Sequence, residues 1–266
     1  MNASRTTTMS PREVPRTLSG GRPSPESARP ETSPIGDGHP GGRTRGTDLR
    51  RAADTARLDR LVAVKAAVEF PLALGLLVLA SPLIAAALVA VKLTSRGPAL
   101  YTQTRVGRGG KPFTIYKVRT MAHDCESLTG PRWSIPGDPR VTPLGQVLRR
   151  LHVDELPQLV NVLRGDMALV GPRPERPEIV AQLVRAVPSY AARHAVKPGI
   201  TGFAQVHLPA DTTVQSVRNK VAYDRHYIRA MGPLRDAAIY ACTLLKVVGA
   251  QSLYARAPRR PAGGEE

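Results

Sequence analysis

The sequence predicts a mainly helical α+β protein with one long apolar segment and a small β-hairpin, and three observations predict it. Residues 70–91, FPLALGLLVLASPLIAAALVAV, carry no charged side chain. Most of the chain beyond them repeats apolar residues at helical spacing. Only the stretch YTQTRVGRGGKPFTIYKVRTM alternates in character, with Gly107-Arg108-Gly109-Gly110 as turn chemistry between Tyr101–Val106 and Pro112–Thr120.

The chain has 266 residues, with Lys+Arg 38 against Asp+Glu 21 and a formal net charge of +17. That balance suits an anionic partner, whether nucleic acid, an anionic membrane face or a phosphorylated substrate, and does not choose among them. The two cysteines, Cys125 and Cys242, form no CxxC pair. A disulfide framework and a structural zinc site are therefore not expected. Residues 1–50 contain no apolar core of a signal peptide, so export by that route is not expected either.

Residues 1–55 are rich in Pro, Gly, Ser, Thr and Arg and poor in large apolar side chains. Such a segment cannot bury enough surface to offset its ordering entropy, and it reads as a disordered basic tail. Residues 251–266 read as a second tail. Between them, the uncharged run of about 22 residues would reach about 33 Å as a helix, enough to cross a bilayer core. Ser81-Pro82 stands in its middle, where a proline removes a backbone hydrogen bond. Basic residues flank both ends: Arg57, Arg60 and Lys65 before, Lys92 and Arg96 after. This leaves little of the charge asymmetry that orients a spanning helix. Spanning and re-entry to the same face are both open on these grounds.

Further on, Leu144, Val147, Leu148 and Leu151 fall at helical spacing, and so do Leu156, Leu159, Val160 and Leu163 before Gly165. Pro172, Pro174 and Pro177 impose a loop. Helices are predicted over 178–187, 214–228 and 234–253.

Asp154-Glu155 stands directly before Leu156-Pro157. Proline suits a helix's first turn, which places Asp154 at or near an N-cap, where free amides favour an ionised carboxylate. A plain capping role competes with nucleophile or metal ligand. Arg173 lies between Pro172 and Pro174, whose stiff backbone suits a fixed guanidinium gripping phosphate; a rigid surface loop is the alternative. Strand alternation puts Lys117 and Arg119 on one face of the hairpin. VGRGG lacks phosphate-loop spacing and reads as a turn. His123, Asp124 and Cys125 are adjacent, and adjacent residues converge poorly on a metal.

Taken in order, KLTSRGPALYTQTRVGRGGKPFTIYKVRTM, DELPQLVNVLRGDMALVGPRPE and VKPGITGFAQV resemble the bacterial sugar transferase family, the monotopic phosphoglycosyl transferases. The likeness runs from about Leu58 to Val248 and is to the short form of the family. It implies a re-entrant helix broken at Ser81-Pro82 over 56–95, and a catalytic domain over 96–250 on the cytoplasmic face of the plasma membrane. It also implies a catalytic dyad of Asp154 and Glu155. By resemblance, Asp154 attacks a nucleotide diphosphate sugar, a UDP-sugar by expectation, and passes the sugar-1-phosphate to polyprenyl (undecaprenyl) phosphate. Mg²⁺ is the implied cofactor with Glu155 as its partner. Pro172, Arg173 and Pro174 are the implied nucleotide contacts, with Lys117 and Arg119 as phosphate neighbours.

Val118 departs from the aromatic residue common in this motif, and His152-Val153 from the usual Ser/Thr-Leu. The stretch after Gln205, VHLPADTTVQSVRNKVAYDRHYI, also departs, so no sugar specificity is carried over. The alternative reading is a membrane-tethered basic nucleic-acid-binding or scaffold protein. With three Phe and one Trp in the chain, the aromatic interleaving of a nucleic-acid surface is missing, and no nucleic-acid partner is expected.

Overall fold

The computed structural model describes residues 44–254, apart from 128–129, 131–132, 134, 136 and 212. The expected tails at 1–43 and 255–266 lie outside the described residues. The chain divides into two units, Met1–Gly46 and Thr47–Glu266, and the second carries the architecture below.

Helix α1 (Thr44–Thr94) begins well before residue 56, inside the segment expected to be a tail. The reason is local: residues 44–55 mix Ala, Leu and Arg, all good helix formers, with no proline. A break was expected at Ser81-Pro82. Instead the helical run continues through Pro71 and Pro82. Pro82 cannot donate to the carbonyl of Val78, and the Ser81 hydroxyl takes that acceptor at 2.8 Å. The serine thus replaces the bond that the proline removes.

One stripe of α1 is buried. Val62 packs with Val170, Tyr227, Met231 and Ile239. Ala73 joins Ile115, Leu159 and Met167. Ala87 and Val91 meet Val118, Leu148 and Val153. The opposite face leaves Val64, Val68, Leu79, Leu83 and Leu93 exposed. This is the one helix among the described residues long and apolar enough to cross a membrane.

Strands β1 (Leu100–Val106) and β2 (Pro112–Val118) form the expected antiparallel hairpin, with Tyr101 opposite Lys117 and Arg105 opposite Phe113. A 3₁₀ turn at Arg108–Gly110 closes it. Gly109 and Gly110 there have φ of 65° and 78°, the left-handed region that glycine enters freely. Next come α2 (Pro143–Arg150), a 3₁₀ turn (Val153–Glu155) and α3 (Gln158–Leu163).

A second sheet was not anticipated. β3 (Ala168–Val170) pairs in parallel with β4 (Gly199–Thr201). Each strand is three residues long, too short for a period-2 pattern to show. Helix α4 (Pro177–Ala186) and a 3₁₀ segment (Tyr190–Ala195) make the crossover that parallel strands require. A Cβ built on Gly199 would lie 2.0 Å from the backbone nitrogen of Gly171, so this pairing admits no side chain there. Helices α5 (Phe203–His207), α6 (Val214–Arg229) and α7 (Pro233–Val247) complete the fold. Thr213 and Ser216 form a capping box that starts α6. The final helix is shorter than the predicted 234–253. A 3₁₀ turn (Gln251–Leu253) follows, and Tyr254 packs on the core, where a tail was expected to have begun.

A buried polar network ties α1 to this body. Lys65 reaches Glu69 at 2.6 Å and Asp236 of α7 at 2.5 Å. Glu69 accepts from the backbone N–H of Val170 (3.1 Å) and from the Tyr240 hydroxyl (3.0 Å). Asp236 accepts from the Tyr227 hydroxyl at 2.7 Å. Buried charges persist only when paired and hydrogen-bonded, and here they fix the register of α1 against β3.

Asn161, fully buried on α3, holds the hairpin in place. Its side-chain oxygen accepts from the Tyr116 N–H (3.1 Å), and its amide donates to the Thr114 carbonyl (2.7 Å). Asn161→Ala leaves both backbone groups unpaired. It should lower unfolding stability by about 2–4 kcal/mol, read from denaturant melts of the purified chain. A loss below about 0.5 kcal/mol, the scale of a neutral surface change, would show the bridge to be dispensable.

Candidate active site

Three chain segments meet around Asp154 and Glu155. The first is the turn that carries them. His152 enters it in the left-handed conformation, with φ of 56°, which is uncommon for a residue with a side chain. That reversal separates α2 from the turn. Asp154 was expected at a helix N-cap. It sits instead within the 3₁₀ turn, and the residue before α3 is Pro157. Asp154 is therefore not used up as a cap. Among the described residues its carboxylate has no hydrogen-bond or ion-pair partner, although it is buried, at 8% exposure.

The second segment is β2, from which Lys117 reaches Glu155 Oε1 at 2.8 Å. The third is the loop after β3. Arg173 places Nη2 2.7 Å from Glu155 Oε1 and Nη1 3.4 Å from Oε2. This loop is rigid for more reasons than its prolines. Arg105 of β1 donates to Glu175 at 2.8 Å, and the Val106 N–H donates to the Glu175 carbonyl at 2.9 Å. Arg193 donates to the Arg173 carbonyl at 3.0 Å, and it is itself held by Asp224 of α6 (2.8 Å) and the Tyr190 hydroxyl (2.9 Å).

The two carboxylates are driven in opposite directions. Burial pushes the Asp154 carboxyl up from its ordinary value, and the neighbouring Glu155 charge adds to this; Lys117, Arg149 and Arg173 pull against it. Glu155 also suffers desolvation, yet Arg173 and Lys117 overcome it and hold its carboxyl well below the ordinary range. Burial lowers the Lys117 ammonium, with Glu155 opposing. One carboxylate is thus a fixed counter-ion, and the other is open and ringed by cations. Such separation of a carboxylate pair is the arrangement that divides chemical roles between them.

The structure brings together Asp154, Glu155, Lys117 and Arg173, with Pro172 and Pro174 flanking the arginine. It does not bring Arg119 to the dyad. That guanidinium is buried at the end of α1, donating from Nη2 to the Ser95 carbonyl (3.0 Å) and hydroxyl (2.7 Å). Ser81 and Pro82 lie in α1, exposed, and take no part. Arg149, which the sequence reading missed, acts on Asp154 from the last turn of α2. A basic residue on the polar face of that helix, five positions before the dyad, was the available signal. Arg193 and Asp224 gave none, since their pairing is long-range.

A metal held by Glu155 does not fit this geometry, because both its oxygens face cations already. Among the described residues no three His, Cys, Asp or Glu side chains converge, so a protein cage does not fit either. The open carboxylate of Asp154 does fit the single protein ligand that Mg²⁺ uses when a diphosphate supplies the rest.

A buried, open carboxylate among cations, beside a rigid arginine loop, suits phosphoryl-group chemistry. Comparison with known proteins gives the class its family. The family model described as bacterial sugar transferase matches residues 60–250, and the chain belongs to that family. It is 43% identical over 168 residues to a UDP-N-acetylgalactosamine-undecaprenyl-phosphate N-acetylgalactosaminephosphotransferase of Aeromonas hydrophila, covering 63% of this chain and 40% of that protein. It is 45% identical over 176 residues to a UDP-glucose:undecaprenyl-phosphate glucose-1-phosphate transferase of Caulobacter vibrioides, covering 65% and 66%. It is 40% identical over 177 residues to the exopolysaccharide production protein PSS of Rhizobium leguminosarum, covering 64% and 88%. The matched part thus spans between two fifths and two thirds of the first two relatives.

The pairing of Glu155 has a pH signature. Its folded-state carboxyl lies below the ordinary 4.5, so its contribution to stability is full above that value and lost as pH falls through the depressed one. In metal-free buffer, Glu155→Gln should cost about 3 kcal/mol near neutral pH, because Lys117 loses its counter-charge. The gap between variant and parent should hold down to about pH 5 and close below it. A gap that widens in acid would contradict the assigned pairing.

Proposed function

We propose that this protein transfers a sugar-1-phosphate from a nucleotide diphosphate sugar, a UDP-sugar, to undecaprenyl phosphate at a membrane surface, an early membrane step of glycan assembly. The observation that carries the reading is the Asp154 carboxylate: buried, unpartnered and surrounded by Lys117, Arg149 and Arg173. The names of the Aeromonas and Caulobacter relatives carry the same two substrate classes.

The steps follow from where the charges stand. A diphosphate enters a site in which three cations outnumber two carboxylates. Arg173, fixed by Glu155 and by the pinned loop, grips the nucleotide side of the diphosphate. An Asp154 oxygen attacks the sugar-bearing phosphorus. The bond from that phosphorus to the bridging oxygen breaks, and the electron pair leaves with the nucleoside monophosphate. The phosphosugar is then joined to Asp154 through an acyl phosphate bond. An oxygen of the polyprenyl phosphate attacks the same phosphorus, forms the lipid diphosphate sugar and returns Asp154 as a free carboxylate. Splitting one displacement into two lets a single site serve a soluble donor and a lipid acceptor in turn. Glu155 acts by position: it keeps Arg173 and Lys117 aimed and charged. Mg²⁺, when bound through Asp154 and the diphosphate, supplies charge neutralisation.

In this reading the helical run of α1 bends at Ser81-Pro82, as a proline allows without ending a helix, so that it turns within the bilayer and returns to the cytoplasmic face, and donor and acceptor meet at headgroup depth. Its exposed apolar face and the basic residues on both flanks support a seat on an anionic leaflet. The departures after Gln205 fall near the site. Lys220 of α6 pairs with Asp211 at 2.8 Å, and Lys246 of α7, which donates to the Gln205 carbonyl at 2.7 Å, feels the Arg173 charge. This is where a choice of sugar would be made.

Asp154→Asn should abolish nucleoside monophosphate release across a panel of nucleotide sugars with undecaprenyl phosphate present, and leave the melting transition in place. Residual turnover within about tenfold of the parent, a barrier change of about 1.4 kcal/mol, is too small for loss of a nucleophile and would sink the covalent reading.

A further inference from the structure

A small cleft opens between the first half of α1 and the β3 region, beyond the C-terminal end of α3. Its walls are apolar, with Val62 and Phe70 from α1, Val162 from α3 and Met231 beyond α6 among them. Three ionisable side chains line it: Lys65, Glu69 and Lys197. Two of these are spoken for, since Lys65 and Glu69 pair with each other and with the network under β3. Lys197 is different. It is half-buried and, among the described residues, has no hydrogen-bond or ion-pair partner. Its ammonium lies beside Gly165, 3.6 Å from where a Cβ on that residue would stand.

The cleft's place along α1 matters. Charged residues of that helix, Asp59, Arg60, Lys65 and Glu69, end where the uncharged run starts at Phe70. Phe70 lines the cleft and is also 49% exposed. The cleft therefore sits where α1 changes from polar to apolar, with the free cation of Lys197 and apolar walls that include the partly exposed Phe70. That combination suits an amphiphile with an anionic head and a hydrocarbon chain.

We propose that this cleft is a binding site for a bilayer phospholipid, whose phosphodiester pairs with Lys197 and whose acyl chain lies along α1 past Phe70. The inference rests on the membrane reading of α1. The occupant is a resident lipid and not the acceptor substrate. A head held at Lys197 lies at the C-terminal end of α3, whereas Asp154 precedes the N-terminal end of that helix. Such a lipid would fasten the first half of α1 to β3, immediately before the loop that carries Arg173.

The test uses the full chain, purified in detergent after incubation with phosphatidylglycerol. Phospholipid retained per chain is counted by native mass spectrometry and by extraction. Parent and Lys197→Glu are compared with Ala66→Phe, which fills the cleft, and with Lys111→Glu, a charge-matched change on the hairpin turn; melting curves verify folding. One phospholipid should persist in the parent and in Lys111→Glu. Occupancy should fall about tenfold or more in Lys197→Glu, as reversal of a lipid-facing charge demands, and likewise in Ala66→Phe. Equal retention by Lys197→Glu and the parent would overturn the site. So would displacement of the lipid by equimolar undecaprenyl phosphate, which would make the cleft part of the acceptor's path. Flotation with phosphatidylglycerol vesicles separates the two readings. A chain that floats but retains no lipid refutes the cleft alone, and one that does not float refutes the membrane reading.

Discussion

The two cations on Glu155 are the contact on which the rest of the site depends. Lys117 arrives from the hairpin and Arg173 from the loop after β3, and both converge on one carboxylate in the turn between α2 and α3. Removing Lys117 and Glu155 from water is expensive, and the cluster survives because each charge finds a partner. Its effect on Asp154 is indirect and larger than a contact. With Glu155 committed as counter-ion, Asp154 keeps its carboxylate open while still sensing three positive charges. A site with both carboxylates paired would leave no open carboxylate, and one with neither paired would repel a diphosphate.

The layers outside the dyad serve the same end. Asn161 locks the hairpin to α3, which sets where Lys117 projects. Arg193, supported by Asp224 and Tyr190, locks the backbone of Arg173. On the opposite side, Glu69 of α1 accepts from Val170, the last residue of β3, one residue before Gly171 begins the loop. The helix proposed to enter the membrane is therefore joined by hydrogen bonds to the strand that positions the arginine.

Local features were legible in the sequence and distant pairings were not. The hairpin, α2, α3, α4 and α6 announced themselves through alternation, helical spacing, glycine turns and proline starts, because those signals are written within a few residues. Asp154, Glu155, Lys117 and Arg173 stood out as residue types in rigid or helix-entry positions, and motif order grouped them. Strand alternation put Arg119 on one face with Lys117 and the family resemblance made it a phosphate neighbour, but the nearby end of α1 offered it a carbonyl and captured it. The β3–β4 pair escaped because three-residue strands carry no period. Pro82 was read as a break because the loss of a backbone bond is visible in sequence, whereas its replacement by the Ser81 hydroxyl depends on a rotamer. Metal placement on Glu155 failed for a similar reason, since nothing local reveals that Lys117 and Arg173 occupy both its oxygens.

The account stands on Asp154 carrying the phosphosugar, and trapping that species tests it most directly. The protein is mixed with a nucleotide sugar labelled at the sugar-bearing phosphorus, without any polyprenyl phosphate, quenched, digested and mapped by mass spectrometry. The account predicts a phosphosugar adduct on the peptide containing Asp154, approaching one per active chain, that disappears when undecaprenyl phosphate is added before the quench. Absence of any adduct while turnover with the acceptor proceeds, or an adduct on a different residue, would contradict it.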